Sequence, residues 1–519
     1  MTGSAPPDPN VQDKVFGFLS SLTTDPPVRR IDTHAASVFL AGERALKVKR
    51  AVRFAFLDYS TLEKRKAACE AEMRVNRPFA PQIYRGVVPI TQEADGSLRI
   101  AGEGTPVEYA IDMARFDESQ TIDHLAEAGP LEADLVDRIA DAIVASHAGA
   151  ALAATAPWVE SIPSLIAGNT AAFRAKGNMP GHRVDELDAA SRSAFERLRE
   201  RLQRRGDRGQ VRHCHGDLHL GNIVLIARQP VLFDAIEFDP AMASIDVLYD
   251  LAFPLMEFLR YRHDAAANLL LNRYLATTGA EHPDGLAALP LFMSVRSAIR
   301  AKVLNDRLAQ DGADKAGIAA KARAYFDLAL RLIHPPAPTL VAVGGLSGTG
   351  KSVLARALAA AVAPAPGAVV LRSDIVRKQQ FDAAETDRLP ASAYRQGVTQ
   401  QVYDELARRA RDVLAQGHSV IVDGVFARPA ERAAIADIAH ELKIPFIGLF
   451  LTADLATRVE RVRRRAGDAS DATPEIAELQ EGYQIGAIDW ALIDASGTPA
   501  QTLETSTAEL VNSSHQHLG

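Results

Sequence analysis

The stretch GLSGTGKS, residues 345–352, constrains the fold of this chain more than any other. It has the spacing G-x4-G-K-[ST] and lies between the apolar run TLVAVGG and the helix-like run VLARALAAAV. A strand that ends in such a loop and opens a helix turns successive backbone N–H groups toward phosphate oxygens, and the glycines permit the backbone this needs. Gly345, Ser347, Gly348, Thr349 and Gly350 are the candidate cradle. Lys351 is placed to reach β- and γ-phosphates, the Ser352 hydroxyl to bind Mg²⁺, and the helix start adds a favourable dipole. The strand-like runs AVVLRSD, HSVIVDGVF and PFIGLFLTA follow, each separated by a helix-length segment. Residues 339–510 are therefore expected to form a doubly wound parallel sheet of βαβ units, with 511–519 a flexible tail.

Ligands of such sheets bind at the C-terminal ends of the strands. Asp374 stands just past the second strand, and Arg377 lies one helical turn later. The carboxylate can take a proton from an acceptor hydroxyl and the guanidinium can hold an anionic acceptor; the competing readings are a helix cap and a surface charge. Asp423 ends the run SVIVD, where an acid can hold Mg²⁺ through water. The arginine cluster from Arg458 to Arg465 is either a solvated basic face or a lid that closes on phosphate. Over roughly residues 338–510 the chain resembles the small P-loop kinases: gluconate kinase, phage polynucleotide kinase, chloramphenicol phosphotransferase and the zeta-toxin group. The resemblance implies Asp374 as base, Arg377 as acceptor contact, and Arg461 and Arg465 as lid arginines on the nucleotide.

The second concentration of chemistry is HCHGDLH, residues 213–219. His213, His215 and His219 suggest zinc, but no second Cys/His cluster completes a structural site and no HExxH spacing is present. The same residues fit H-G-D-x4-N, with Asp217 five residues before Asn222 and Asp234 twelve residues beyond it. That is the spacing of a kinase catalytic loop: one Asp takes the hydroxyl proton, the Asn binds Mg²⁺, and the second Asp binds the bridging Mg²⁺. His215 orients the loop, leaving His213, Cys214 and His219 as packing or loop residues. Over roughly residues 25–330 the chain resembles aminoglycoside phosphotransferases and the related choline and fructosamine kinases, which carry HGD at this place. The resemblance implies that Asp250, in DVLYDLAF, supports the loop. It also implies a strand lysine that binds ATP phosphates and pairs with a helix glutamate. Lys47 in ALKVKR is the first choice, but Lys49 shares its face, and Glu70 and Glu72 both remain open as partner. No G-x-G-x-x-G loop precedes the lysine; residues 33–37, THAAS, stand where the covering turn belongs. MARF, residues 113–116, is either a hinge against adenine or an ordinary strand end.

The expected organisation is multidomain, α+β then α/β. Residues 1–24 hold a partly disordered N-terminus and a first helix. A protein-kinase-like phosphotransferase domain follows at 25–333, with a small lobe at about 25–116 and a large lobe at about 117–333. A Pro-rich linker, 334–338, leads to the P-loop kinase-like domain at 339–510. The net charge of −7 from 58 basic and 65 acidic residues predicts no broad attraction to nucleic acid or membrane. Two cysteines make no disulfide framework, and no apolar run reaches bilayer-spanning length, so a cytoplasmic protein is expected. The reading is an ATP- and Mg²⁺-dependent phosphotransferase with two modules, each acting on a small-molecule hydroxyl; known bacterial fusions of these two families have this order. The alternatives are an ATP-binding regulatory protein, and a C-terminal module directed at nucleotide or RNA hydroxyls. No pattern between Asp250 and Ile333 names the acceptor.

Overall fold

The structure is a computed structural model that describes residues 9–33, 35–54, 57–279, 283–308, 314–464 and 468–516. The chain divides into two compact units, Met1–Ser161 with Gln203–Pro254, and Ile162–Leu202 with Leu255–Gly519. The fold class is the expected one: an α+β region built on an antiparallel sheet is followed by an α/β region with a parallel sheet behind the loop 345–352.

The first unit is built on a six-stranded antiparallel sheet in the order Arg29–Asp32, Ala36–Ala41, Arg44–Lys49, Thr105–Ala114, Tyr84–Gln92, Leu98–Ile100. Period-2 alternation sorts the Arg44–Lys49 strand. Leu46 and Val48 pack with Val15, Phe16 and Leu19 of the helix Pro9–Ser20. Ala45 joins Cys69 and Met73 of the helix Leu62–Asn76, so Lys47 and Lys49 share the side that this helix covers. The Thr61 hydroxyl caps that helix, accepting from Lys64 N at 3.3 Å. Gln12 fastens the N-terminal helix by donating to Lys49 O at 3.0 Å and Glu108 Oε2 at 2.8 Å, and by accepting from Ala51 N at 2.8 Å.

Further along, Val211–His213 pairs with Ser244–Asp246, and Ile223–Ile226 forms a hairpin with Gln229–Leu232. The turn falls at Ala227 and Arg228, whose φ angles of 49° and 64° suit a two-residue primed turn. Pro230 sits in the second strand, so Asp234 emerges two residues past its end.

The second unit holds a five-stranded parallel sheet in the order Val369–Arg372, Val420–Asp423, Leu340–Gly345, Phe446–Thr452, Ala491–Asp494. Val341, Val343, Ile421 and Leu449 form its core with Leu354 and Leu358 of the helix Lys351–Ala359 and Leu510 of Pro499–Gln516. The fifth strand was not expected; ALID offers a single fully buried residue, Ile493. The helices of 162–202 and 255–333 belong to this unit, and the Pro-rich stretch 334–338 lies inside it. The helix Asp264–Thr278 closes the open edge of the sheet. Asn268 and Asn272 each donate to Ala368 O at 3.0 Å, and Val370 N donates to Asn272 Oδ1 at 2.8 Å. Side-chain amides thus occupy backbone groups that a missing strand would otherwise take. Among the described residues no helix is long and apolar enough to cross a membrane.

Candidate active sites

In the first unit both lysines reach Glu72, and Lys47 also meets Asp234. Lys47 Nζ lies 2.8 Å from Glu72 Oε1 and 2.7 Å from Asp234 Oδ1. Lys49 Nζ is 2.5 Å from both Glu72 Oε2 and Glu237 Oε1. Glu72 is fully buried, whereas Glu70 is exposed and faces Lys66 on its own helix. Lys47 is the one of the two that meets Asp234. Burial works against its charge, but Asp234 and Glu72 outweigh burial and hold the ammonium well above its usual range. Burial likewise raises the Asp234 carboxyl, yet Lys47 overrides it and brings the pKa down to about 2. The Asp234 side chain is still 44% exposed, so part of the carboxylate is open to a cation.

The loop from His215 to Asn222 is held from beneath. Asp250, fully buried in the helix Val247–Arg260, accepts from His215 N at 3.1 Å and Gly216 N at 3.0 Å. His147 Nε2 lies 3.2 Å from the same carboxylate. Burial holds His215 neutral by lowering its pKa, and its Nε2 donates to Phe233 O at 2.9 Å, which ties the loop to the segment carrying Asp234. Asn222 Nδ2 donates to Asp217 O at 2.9 Å, leaving the amide oxygen for a cation. Asp217 is 44% exposed, and His219 Nε2 stands 3.7 Å from its carboxylate. Phe116 meets Phe233 edge-on at 4.9 Å, at the end of the strand that carries Met113.

The three loop histidines do not converge. His213 is exposed beside Ser244, at 3.3 Å, and His219 caps a turn by accepting from Gly221 N at 3.1 Å. Among the described residues one metal-like group exists, His147, Cys214 and Asp250, with ligand atoms within 4.8 Å of one another. The Asp250 oxygens there already serve His215, Gly216 and His147, so the group reads as loop support. The oxygen donors of Asn222 and Asp234 instead suit Mg²⁺.

In the second unit the loop 345–352 has the expected backbone, with positive φ at Gly345, Gly348 and Gly350 of 137°, 86° and 94°. A Cβ on Gly348 would lie 2.5 Å from Arg458 O. Thr349 Oγ1 and Lys351 Nζ donate to Leu346 O at 2.9 and 3.1 Å, and Ser347 N donates to Gln480 Oε1 at 2.7 Å. Ser352 Oγ donates to Asp423 Oδ2 at 2.5 Å. These two hard oxygen donors side by side also suit Mg²⁺.

Beside them lies a residue the sequence did not single out. Arg372 donates to Ser352 Oγ at 3.1 Å and to Asp468 Oδ1 at 2.7 Å, with Nε 3.5 Å from Asp423. Burial, then Asp423, raises the Asp374 carboxyl above its ordinary value, and Lys351, Arg372 and a hydrogen bond from Ser470 only partly offset this. Arg377 is buried; it donates to Ala393 O at 2.6 Å and lies under the Tyr394 ring at 4.8 Å. Asp471 accepts from Tyr394 Oη at 2.6 Å and Leu389 N at 3.0 Å, and pairs with Lys378 at 3.1 Å. Asp468, Ser470 and Asp471 therefore close over the Asp374 helix. Their signal was the pair of acids in GDASDA, which match Arg372 and Lys378 in LRSDIVRK.

Of the two expected lid arginines, Arg461 is placed differently from expectation. Arg461 turns to the carbonyls of Ala495 and Gly497, each at 2.7 Å, rather than to the P-loop. Arg465 lies outside the described residues. Among the described arginines of the cluster, Arg458 approaches the loop, 3.5 Å from Ser347 O and paired with Glu481.

Fold and sites together give a chain with two clusters of candidate residues, one beside an antiparallel sheet and one at the Gly-rich loop 345–352 of a parallel sheet. Residues 340–483 match the sequence family described as an AAA domain. A protein of Mycobacterium tuberculosis (strain ATCC 25618 / H37Rv), described as uncharacterized, is 29% identical over 492 residues, covering 90% of this chain and 92% of its own. A Mycobacterium bovis protein with the same description matches equally. Among solved structures, the chain is similar to a choline/ethanolamine kinase family protein from Mesorhizobium loti, at 16% identity and a TM-score of 0.38, over 62% of this chain and 99% of that one. It is also similar to a gluconokinase from Sinorhizobium meliloti 1021, at 18% identity and a TM-score of 0.26, over 35% of this chain and 97% of that one.

Proposed function

We propose that the chain is an ATP-dependent phosphotransferase with two nucleotide-binding modules, each moving the γ-phosphate to a hydroxyl of a small molecule. The observation that carries this reading is the meeting of Lys47, Glu72 and Asp234 beside the loop that bears Asp217 and Asn222. A chain that only bound ATP would have no use for an open carboxylate at position 217.

In the N-terminal module, Lys47 neutralises phosphate charge and Glu72 holds the lysine in place. Asn222 and Asp234 would hold Mg²⁺, which when bound screens the charge that builds on the transferring group. Asp217 accepts the acceptor's hydroxyl proton as its oxygen bonds to the γ-phosphorus and the bond to the ADP oxygen breaks. In the C-terminal module, the N–H groups of 345–352 and Lys351 would cradle the phosphates, Ser352 and Asp423 would hold Mg²⁺, and Asp374 would take the proton. The buried Arg377 supports the wall of the acceptor pocket.

The test is ADP release by the full-length chain, with sugars, aminoglycosides and nucleosides as acceptors. Asp217→Asn is expected to cut turnover about 10²- to 10⁴-fold while ATP binding persists, measured with Lys351→Ala to silence the other module. Undiminished turnover would reject Asp217 as the base. Acceptor-independent ATP binding without any ADP release would favour a regulatory ATP-binding protein instead.

A further inference from the structure

The segment from Phe233 to Glu237 is bonded at every residue, and the partners come from five places in the chain. Phe233 N donates to Asn222 O at 3.0 Å, and Asp234 N to Tyr84 Oη at 3.3 Å. Ala235 exchanges two bonds with the buried Asn76 amide, at 2.7 and 3.2 Å. Ile236 N donates to His215 O at 3.0 Å. Glu237 ends the series on Lys49 at 2.5 Å. Asp234 itself has a φ of 61°, a conformation that a non-glycine residue keeps only when its surroundings fix it.

Lys49 stands apart from the other partners because it joins both ends of the site. Its ammonium takes Glu72 Oε2, while Lys47 takes Glu72 Oε1, and its other partner lies three residues past Asp234. The order of charges is Asp234, Lys47, Glu72, Lys49, Glu237, with signs alternating along the row. The side chains of Lys49, Glu72 and Glu237 are 4%, 0% and 8% exposed, too deep to touch a nucleotide. Lys47, at 16%, and Asp234 form the accessible end.

We propose that Lys49 and Glu237 are a positioning pair that fixes the carboxylate of Asp234 for Mg²⁺–nucleotide, acting through the segment 234–237 and the shared Glu72. The proposal rests on the reading of Asp234 as a metal ligand. Lys47 serves phosphate; Lys49 serves geometry. Two lysines two residues apart on one strand thus have separate tasks, and their loss is felt in different quantities.

The experiment uses the full-length chain carrying Lys351→Ala, so that nucleotide binding reports the N-terminal module. Binding of a non-hydrolysable ATP analogue is titrated at a series of Mg²⁺ concentrations, with thermal melting alongside. Lys49→Met and Glu237→Gln are each expected to leave metal-free analogue affinity unchanged and to raise the Mg²⁺ needed for half-maximal binding about 10- to 100-fold. The double variant is expected to be no worse than either single one, because the pair acts as a unit. Lys47→Met gives the opposite pattern, a loss of analogue affinity with or without Mg²⁺. Glu237→Gln keeps the side-chain shape and reports even if Lys49→Met does not fold. A lower melting temperature with the parental Mg²⁺ dependence in both single variants would overturn the proposal, reducing the pair to a structural ion pair. If Asp234→Asn also left the parental Mg²⁺ dependence intact, the reading of Asp234 would fall, and this proposal with it.

Discussion

Asp250 Oδ2 accepts the backbone N–H of His215 at 3.1 Å across 35 residues of sequence, and Oδ1 of the same carboxylate takes Gly216 N. One buried side chain thus sets the path of the backbone just before Asp217. Asp250→Ala removes an acceptor that serves both N–H groups and His147. Leaving such a donor buried and unpaired costs about 1–3 kcal/mol for each N–H group. The expected result is a markedly lower melting temperature for the first unit together with lost N-terminal turnover, while analogue binding to the P-loop persists. Parental melting would mean that the loop finds its path without Asp250.

Gly348 has a φ of 86° and lies against the backbone of Arg458. Gly348→Ala meets both a backbone conformation that alanine avoids and a carbonyl that cannot move without its helix, Leu455–Arg464. Nucleotide binding by the P-loop is expected to disappear, with Asp217-dependent turnover unchanged. Calorimetric titration of the two sites, each isolated by a variant in the other, measures this.

Asp374 carries a pH dependence. Burial and Asp423 raise its carboxyl above the ordinary value of 3.8, so the folded chain holds this proton more tightly than the unfolded chain does. Below that value both states are protonated and the group costs nothing. As pH rises through it, the unfolded chain releases its proton first, and folding loses stability until the folded pKa is passed. Asp374→Asn is therefore expected to melt above the parent at pH 7 and with the parent near about pH 3. The same variant should lose C-terminal turnover. A melting difference independent of pH would contradict the raised pKa.

Asn272 Oδ1 accepts from Val370 N on the edge strand that leads to Asp374. Asn272→Leu strands that N–H, at a cost of about 1–3 kcal/mol if it stays buried. Faster hydrogen exchange at the Val370 amide, with a modest fall in melting temperature, is the expected signature. Unchanged exchange would show that water or a shifted neighbour replaces the amide.

The loop 345–352 stood out because its pattern is written in consecutive residues, and the HGD stretch because Asp217, Asn222 and Asp234 lie close together in sequence. Glu72 could have been chosen over Glu70. Cys69, Met73 and Asn76 mark the buried stripe of their helix, and Glu72 lies on that stripe while Glu70 points away from it. The meeting of Lys49 with Glu237 could not be read, since it is a pairing across 188 residues. The edge-closing asparagines were hidden for the same reason. An Asn on a helix is ordinary until the strand it meets is known. The fifth strand failed differently, for four residues with one buried position give no period to detect.

The asparagine closure also bears on how this polypeptide is made. Asn268 and the carbonyl it holds, Ala368, are 100 residues apart. At about 5–20 residues per second, the helix leaves the ribosome on the order of 5–20 s before its strand exists. During synthesis the helix must wait with its amides in water, and the sheet edge forms only after its cover has been translated. The open edge is thus never presented to a neighbouring nascent chain without its partner already at hand.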